Sequence, residues 1–221
     1  MPLLTTTQRL AGRRRSGFTV LELTLAMAIL GLALALAGMV TRTGSAAYRN
    51  AMAGIQLEQN LHRALDRAMT ELEATGSDYL DPPPVDGLAY KRLEYQHLLL
   101  QGTNVVPGPT SRLAFEYETG EIDDGIDNNG NGLIDEGVLV LIRNVGLTTQ
   151  QRVVLCHNVR ELLEGEIANA IDDNGNFLVD EPGFFIQKTG QVLTIRLSIE
   201  GLDPQGNIMV RTAECSARMR N

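Results

Sequence analysis

The pattern of apolar and polar positions divides the chain into a long N-terminal helix and a series of short strands. Residues 23–41 contain no charged side chain. As a helix, this run of 19 residues spans ~28 Å at a rise of ~1.5 Å per residue. That length is close to the ~30 Å thickness of the hydrocarbon core of a bilayer. Residues 18–41 are therefore predicted to form a transmembrane helix.

The helix is predicted to continue beyond the membrane as an amphipathic segment, residues 42–76. No proline follows Arg42 until Pro82. Apolar residues recur at steps of three and four, which places them on one face of a helix: Leu57, Leu61, Leu65, Ala68, Met69 and Leu72. Gly76 and the prolines from Pro82 onward are typical helix terminators, so one helix of about 18–75 is predicted.

The remaining residues, 77–221, are predicted to form a β-rich domain outside the cytoplasm. Short apolar or alternating runs bounded by turn residues indicate strands at 92–100, 112–118, 138–143, 152–157, 183–188, 191–200 and 207–214. The connection 188–191 predicts a hairpin, after which Leu193, Ile195, Leu197 and Ile199 alternate inward. A helix followed by short strands predicts an α+β fold, with an antiparallel sheet on one face of the helix.

The start of the apolar run has an unusual order of residues. Three arginines, 13–15, precede Gly17 and Phe18, and Glu22 is the one acid at the beginning of the run. Arginines favour the cytoplasmic side of a membrane, so the bulk of the chain is expected outside the cytoplasm. A carboxylate at the centre of a bilayer costs ~2.5–3.5 kcal/mol, and such residues usually have a partner and a function.

Residues 17–22 (GFTVLE) resemble the class III signal of type IV pilins and type II secretion pseudopilins. The resemblance implies that a prepilin peptidase removes residues 1–17 as a leader peptide and that Phe18 becomes the N-methylated first residue. It also implies that Glu22 pairs with the N-terminal amine of a neighbouring subunit. The expected fold is pilin-like, with one long helix, its first half transmembrane, packed on a small antiparallel sheet.

Three other interpretations of this junction stay open. Thr19 and Glu22 have the spacing of a capping box, which is compatible with the prepilin interpretation. Residues 35–37 (ALA) fit the cleavage site of an ordinary secretory signal, and the paired arginines fit a weak twin-arginine signal. An ordinary signal has an apolar run of ~7–15 residues. The longer run and its initial glutamate favour the prepilin interpretation.

The composition limits the classes of function. Removal of 1–17 leaves 204 residues, roughly one domain and its membrane helix. The leader carries four arginines and no acid, so the net charge changes from −8 to −8 − 4 = −12. An acidic surface disfavours nucleic acid and is compatible with cations. No phosphate-binding or zinc pattern occurs in the sequence, so neither an enzyme nor a small-molecule substrate is predicted.

Two cysteines, Cys156 and Cys215, lie in the exported part of the chain. Disulfides form and persist outside the cytoplasm, and a bridge over a long loop contributes ~3–4 kcal/mol when it is unstrained. A bridge would also fix the C-terminal segment, so a disulfide is predicted. Two buried free thiols are the alternative.

An acidic motif occurs twice. Residues 120–136 (GEIDDGIDNNGNGLIDE) and 165–181 (GEIANAIDDNGNFLVDE) share 11 of 17 positions at a constant offset of 45 residues. Alternating oxygen-bearing side chains followed by glycine open the calcium loop of an EF-hand. Calcium is therefore the predicted cofactor of loops 120–137 and 165–182. The predicted ligands are Asp127, Asn129, Asn131 and Asp135 in the first loop, and Asp172, Asn174, Asn176 and Asp180 in the second.

Neither loop matches a complete EF-hand. Val138 and Gly183 stand where the bidentate glutamate is expected, and Phe177 replaces the glycine of the first loop. The loops therefore resemble the calcium loops of dockerins or thrombospondin-type repeats. The alternative is a pair of Asn-Gly hairpin turns, in which asparagine is chosen for a positive φ.

Further residues make the chain similar to minor subunits of the pilin family. Residues 61–67 and 71–73 are similar to the helix of J-type minor pseudopilins and W-type minor pilins, as are 157–159 and 218–221. The expected function is that of a minor pseudopilin at or near the tip of a periplasmic pseudopilus, where it initiates assembly for type II secretion. A minor pilin of a type IV pilus and a calcium-dependent pilus-tip adhesin are the alternatives.

The resemblance also implies partners and a location. The expected partners are the prepilin peptidase, other major and minor pilins or pseudopilins, and the inner membrane. The chain is expected to cross the inner membrane once, with its C-terminal domain in the periplasm, and then to enter a pseudopilus or a surface pilus.

Overall fold

The computed structural model describes residues 17–101, 103–175 and 178–219. It contains one helix, α1 (Val20–Glu73), followed by strands. The strands are β1 (Thr75–Asp81), β2 (Ala89–Tyr90), β3 (Arg92–Gln101), β4 (Asn104–Tyr117), β5 (Gly137–Arg143), β6 (Gln151–Val159), β7 (Phe184–Thr189), β8 (Val192–Leu202) and β9 (Ile208–Arg218). The predicted α+β, pilin-like arrangement of one long helix and an antiparallel sheet is confirmed.

The chain divides into two compact units, residues 1–47 and 48–221. In the first unit, the described residues of α1 expose their apolar side chains, for example Leu25 (60%), Leu34 (65%) and Val40 (71%). The helix Val20–Glu73 is long and apolar enough to cross a membrane. Its N-terminal part therefore offers a surface that lipid or other helices must cover.

In the second unit, the apolar stripe of α1 forms one side of the core. Leu61, Leu65 and Leu72 are each at most 2% exposed, and they belong to the same cluster as residues of the sheet. Each buried leucine contributes roughly 1.5–3 kcal/mol relative to an exposed one. The amphipathic pattern of the sequence therefore identified the packed face of the helix.

All strand pairs in the sheet are antiparallel, in the order β1-β3-β4-β5-β6-β8-β7-β2, with β9 paired to β8. The predicted hairpin joins β7 to β8, where Thr189 pairs with Val192 and Gly190 has a φ of 61°. Two strands, β1 and β2, were not predicted. The sequence of β1 (TGSDYLD) contains residues that disfavour strands, and pairing with β3 overrides this tendency.

A buried carboxylate joins the end of α1 to the sheet. Glu71 is 4% exposed, and its Oε1 accepts hydrogen bonds from Arg67 on the same helix and from Arg143 on β5. Its Oε2 accepts a hydrogen bond from the Tyr95 hydroxyl at 3.3 Å. His97 Nε2 lies 2.9 Å from the Glu71 carbonyl oxygen. This charge is compensated within the chain, so Glu71 holds the fold together.

The predicted disulfide is not formed. Cys156 and Cys215 are both free thiols. Strand β8 pairs with β9 along one edge and meets β6 and β7 on the other, so the two cysteines lie on strands separated by β8. Two strand spacings amount to ~9–10 Å, whereas a disulfide needs Cα atoms ~4.4–6.8 Å apart. Burial raises the pKa of Cys156 to about 11, which keeps this thiol protonated.

Candidate functional site

The first candidate site is the N-terminal end of α1. Gly17 and Phe18 precede the helix, and the Phe18 side chain is 89% exposed. The Thr19 backbone N–H donates to Glu22 Oε2 at 2.8 Å, and the Thr19 hydroxyl donates to the same oxygen at 3.0 Å. The Glu22 N–H donates to Thr19 Oγ1 at 3.2 Å. These reciprocal bonds form the predicted capping box.

The Glu22 carboxylate has no basic partner within the described residues 17–101, 103–175 and 178–219. Its hydrogen bonds come from Thr19 alone, and exposed leucines flank it in the sequence, Leu21 (77%) and Leu23 (57%). Residues 1–16, which belong to the expected leader, lie outside the described part of the chain. A carboxylate at the start of an exposed apolar surface can attract a cationic group that is itself costly to bury in lipid.

The second candidate site is the loop between β4 and β5, residues 120–137, here called loop one. Asp127 accepts backbone N–H groups from Gly130 (2.6 Å) and Gly132 (2.8 Å). Asp135 accepts the N–H groups of Asp124 (3.2 Å) and Gly125 (2.8 Å). Two of the predicted cation ligands therefore hold the loop backbone in shape.

Two glutamates that the sequence interpretation did not select lie inside loop one. Glu121 is 5% exposed and Glu136 is fully buried. Glu121 Oε1 accepts the Asn129 N–H at 2.7 Å, and Glu136 Oε1 accepts the side-chain amides of Asn129 (2.8 Å) and Asn131 (2.6 Å). Both glutamates recur unchanged in the second copy of the motif, which is the signal that could have identified them.

The second acidic loop, residues 165–182, is called loop two, and its described residues have the same local geometry. Asp180 accepts the N–H groups of Asn169 (3.2 Å) and Ala170 (2.9 Å), and the Asp172 carboxylate accepts that of Gly175 (2.6 Å). Glu166 accepts the Asn174 N–H at 3.1 Å. The predicted ligand Asn176 lies outside the described residues.

The hairpin alternative requires asparagines with a positive φ, and the described residues of the two loops do not show this. The non-glycine residues with positive φ are Asp135 (53°), Asp180 (50°) and Ala170 (60°), so asparagine does not supply this conformation at positions 129, 131 and 174. Loop one does connect an antiparallel pair, β4 and β5, whereas loop two connects β6 to β7, which are not neighbours in the sheet.

Comparison with known families decides the nature of the N-terminal site. The model of a family described as the prokaryotic N-terminal methylation motif matches residues 12–38. This N-terminal segment is that of the type IV pilin and pseudopilin family. No curated protein and no solved structure matches the chain.

The matched motif covers the part of the chain that contains Glu22. The matched residues include Gly17, Phe18, Glu22 and most of the apolar run. The motif indicates a structural subunit rather than an enzyme, with processing by a prepilin peptidase and assembly with other pilins. The apolar N-terminal helix is consistent with a pilin-type membrane anchor.

A third group of side chains brings acids from two parts of the pilin-type head together. Ligand oxygens of Asp123, Asp135 and Glu161 all lie within 4.8 Å of one another. The Tyr117 hydroxyl donates to Glu161 Oε1 at 3.2 Å. Burial raises the pKa of Glu161, and the neighbouring Asp123 carboxylate raises it further. The group therefore carries unfavourable like-charge repulsion.

Proposed function

We propose that this protein is a minor pseudopilin of a type II secretion system and lies at or near the tip of a periplasmic pseudopilus, whose assembly it initiates. The observation that carries the proposal is the uncompensated Glu22 carboxylate at the beginning of an exposed apolar helix.

The apolar surface of α1 supports a filament role. Nineteen uncharged residues, 23–41, expose apolar side chains such as Leu30 (60%) and Met39 (67%). In the inner membrane, lipid covers them. In a filament, the equivalent helices of neighbouring subunits cover them, so the same surface serves first as an anchor and then as an assembly interface.

Glu22 supplies the orientation in this proposal. Peptidase cleavage after Gly17 creates an amine on Phe18, and an α-amino group is mostly cationic at neutral pH. A carboxylate and an ammonium group that are each costly in lipid become tolerable when they pair. The Glu22 carboxylate of one subunit therefore pairs with the Phe18 amine of the next, which fixes the axial step between them.

A position near the tip is favoured by the features of the β-rich head. The similarity of residues 61–67 to J-type minor pseudopilins supports a minor subunit. The acidic loops also expose aliphatic side chains at corresponding positions, which suits contacts with other minor subunits: Ile122, Ile126 and Ile134 in loop one, and Ile167, Ile171 and Val179 in loop two.

Some of the same observations also support two related functions, those of a type IV minor pilin and of a pilus-tip adhesin. A minor pilin of a type IV pilus would use the same cleavage site, the same Glu22 contact and the same helix. A calcium-dependent pilus-tip adhesin is favoured only by the exposed aliphatic residues of the acidic loops. Deletion of the gene separates the three, because it abolishes protein secretion, surface piliation or adhesion respectively.

The assembly role is tested by Glu22→Gln, with Thr19→Ala as the matched control. Glutamine keeps a hydrogen-bond acceptor for the cap and removes the charge, whereas Thr19→Ala weakens the cap and keeps the charge. We expect Glu22→Gln to be cleaved and stable but reduced at least about tenfold in the isolated filament fraction, which corresponds to ~1.4 kcal/mol per neighbour contact. Thr19→Ala should assemble normally.

Immunoblots of the membrane and filament fractions, made alongside wild-type partner subunits, measure this distribution. Normal incorporation of Glu22→Gln would remove the pairing from the proposal. Equal loss of both variants would assign the defect to helix capping.

A further inference from the structure

The interior of loop one brings together two carboxylates from opposite ends of the loop. Glu121 follows the first turn of the loop, and Glu136 directly precedes β5. Both contact Asn129, Glu121 through the backbone N–H and Glu136 through the side-chain amide. The two carboxyl groups therefore converge on a single residue inside the loop.

Each of these carboxylates has one oxygen atom without a hydrogen-bond partner. Glu121 Oε2 and Glu136 Oε2 are buried and unpartnered, while the Oε1 atoms are used by Asn129 and Asn131. Buried polar atoms are nearly always satisfied, and an unsatisfied ionised oxygen is especially unfavourable. Two such atoms in one loop point to a ligand that the pair would share.

The required ligand is a cation, because nothing in the described chain balances the two negative charges. Within the described residues, no salt bridge joins Glu121 or Glu136 to a basic side chain. Arg160 forms its salt bridge with Glu200, at 3.3 Å. Burial raises the pKa of Glu200, and although Arg160 opposes this, the Glu136 carboxylate adds to the rise.

The available donors favour calcium. Carboxylate and amide oxygens are hard ligands, and calcium accepts six to eight of them in an irregular arrangement, whereas magnesium requires a regular octahedron. The side-chain amides of Asn129 and Asn131 already face the Glu136 carboxylate. The Asn129 side-chain oxygen accepts the Asn131 N–H at 3.0 Å, and the Asn131 side-chain oxygen accepts the Leu133 N–H at 2.8 Å. An amide oxygen has two lone pairs, so each of these atoms keeps one that can coordinate a cation.

We propose that loop one binds a calcium ion through the carboxylates of Glu121 and Glu136, with the side-chain oxygens of Asn129 and Asn131 completing the protein ligands. Asp127 and Asp135 act as positioning residues, since their oxygens hold the backbone around the site. This site is independent of the filament role, because it lies in the head and uses neither Glu22 nor the apolar helix.

Glu136→Gln and Glu121→Gln test the site in the full chain, purified in detergent micelles and freed of metals by a chelator. Asp123→Asn is the matched control, because it removes one exposed acid from the same loop and lies outside the proposed ligand set. All variants carry Glu166→Gln, so that loop two contributes less to the signal. Calorimetric titration with calcium chloride, and separately with magnesium chloride, measures binding.

We expect calcium to bind with a Kd of ~10⁻⁴–10⁻³ M, the range of extracellular modules, and more tightly than magnesium. Each glutamine variant should weaken binding at least about tenfold, because the number of ligand charges sets the affinity. Asp123→Asn should stay within about twofold of its parent. No binding up to about 10 mM calcium, or unchanged binding in Glu136→Gln, would overturn the proposal. Loss of binding in Asp123→Asn alone would do the same and would assign the ion to the group Asp123, Asp135 and Glu161.

Thermal unfolding separates loss of the ion from loss of the fold. In the presence of chelator, Glu136→Gln should unfold at a higher temperature than its parent, because the variant lacks a buried uncompensated charge. With calcium at ten times the Kd, the parent should gain ~3–6 °C and the variant should gain little. A variant that is less stable under both conditions would contradict the inferred site.

Discussion

The two acidic loops share a backbone and differ in chemistry. At equivalent positions, Asp135 and Asp180 have φ angles of 53° and 50°, and each accepts a pair of backbone N–H groups from ten and eleven residues earlier. Gly120 and Gly165 both lie against the side chain of an asparagine. The motif therefore encodes a loop conformation first, and its cation-binding capacity depends on the residues placed within it.

The two loops differ in the number of their acidic residues and in the residue type at one left-handed position. Loop one carries six acidic residues between 120 and 136, and loop two carries five between 165 and 181. Asp123 of loop one is replaced by Ala168, and Gly125 by Ala170, which keeps a φ of 60°. Glu121 Oε2 is unpartnered, whereas Glu166 Oε2 accepts the Asp180 N–H at 3.2 Å. The unpartnered Glu121 oxygen is therefore the feature of loop one on which the proposed cation site depends.

The largest effect is expected from substituting Gly137, the last residue of loop one, and Gly183, which directly follows loop two. A Cβ atom on Gly137 would lie 2.5 Å from the Glu116 carbonyl oxygen, and one on Gly183 would lie 2.7 Å from the Arg160 carbonyl carbon and overlap its oxygen. Gly137→Ala and Gly183→Ala should each lower the free energy of unfolding by ~3 kcal/mol, because neighbouring backbone must move. Urea unfolding followed by circular dichroism measures this loss.

Gly146→Ala is the control for these two variants. Gly146 has a positive φ of 76° but open space around it, so alanine should cost only ~1 kcal/mol there. If Gly137→Ala and Gly183→Ala cost no more than the control, the close approach of backbone at the loop ends is not what holds the loops in place.

A smaller effect is expected from exchanging the residues at the left-handed position. Gly125→Ala should destabilise the protein by ~1 kcal/mol, because an L side chain is unfavourable at its φ of 75°. Ala170→Gly should stabilise the protein by ~0.5–1 kcal/mol, since the strain relieved slightly exceeds the entropy lost by glycine. The same urea titration measures both. Changes of equal sign would show that the loops do not share one backbone.

The sequence predicts the regular parts of this molecule better than its irregular parts. The helix and seven strands follow from apolar spacing, because Leu61, Leu65 and Ile195 pack in one core. Strand β1 escapes detection, because its residues favour turns and only the pairing with β3 makes it a strand. Local propensity cannot report a tertiary pairing of this kind.

At the candidate sites, the sequence identifies the types of residue involved but not all of the residues that lie inside each site. The capping box of Thr19 and Glu22 is local and therefore predictable. In loop one, an EF-hand template selects Asp127 and Asp135, but their carboxylates accept hydrogen bonds from backbone N–H groups. The template does not select Glu121 and Glu136, which are buried. Burial depends on how the loop closes over β4 and β5, which spacing alone does not reveal.

The smallest effect is expected from a change at Asp123, an acid of loop one whose counterpart in loop two is Ala168. Burial, followed by the charge of Asp123, raises the pKa of Glu161, so the charged form of Glu161 is disfavoured in the folded state. The resulting destabilisation is present above the raised pKa and is relieved as the pH falls through it. Asp123→Asn should therefore raise the free energy of unfolding at neutral pH by less than ~1 kcal/mol, because solvent screens the partly exposed pair.

The gain from Asp123→Asn should shrink as the pH falls through the raised pKa of Glu161, above its ordinary value of 4.5. Urea unfolding at several pH values in the presence of chelator measures this profile without interference from bound cations. Ala168→Asp installs the equivalent acid in loop two and is the control, since the described acidic group around Glu161 has no counterpart there. A pH-independent gain, or the same profile from both variants, would mean that the effect follows net charge instead of the group Asp123, Asp135 and Glu161.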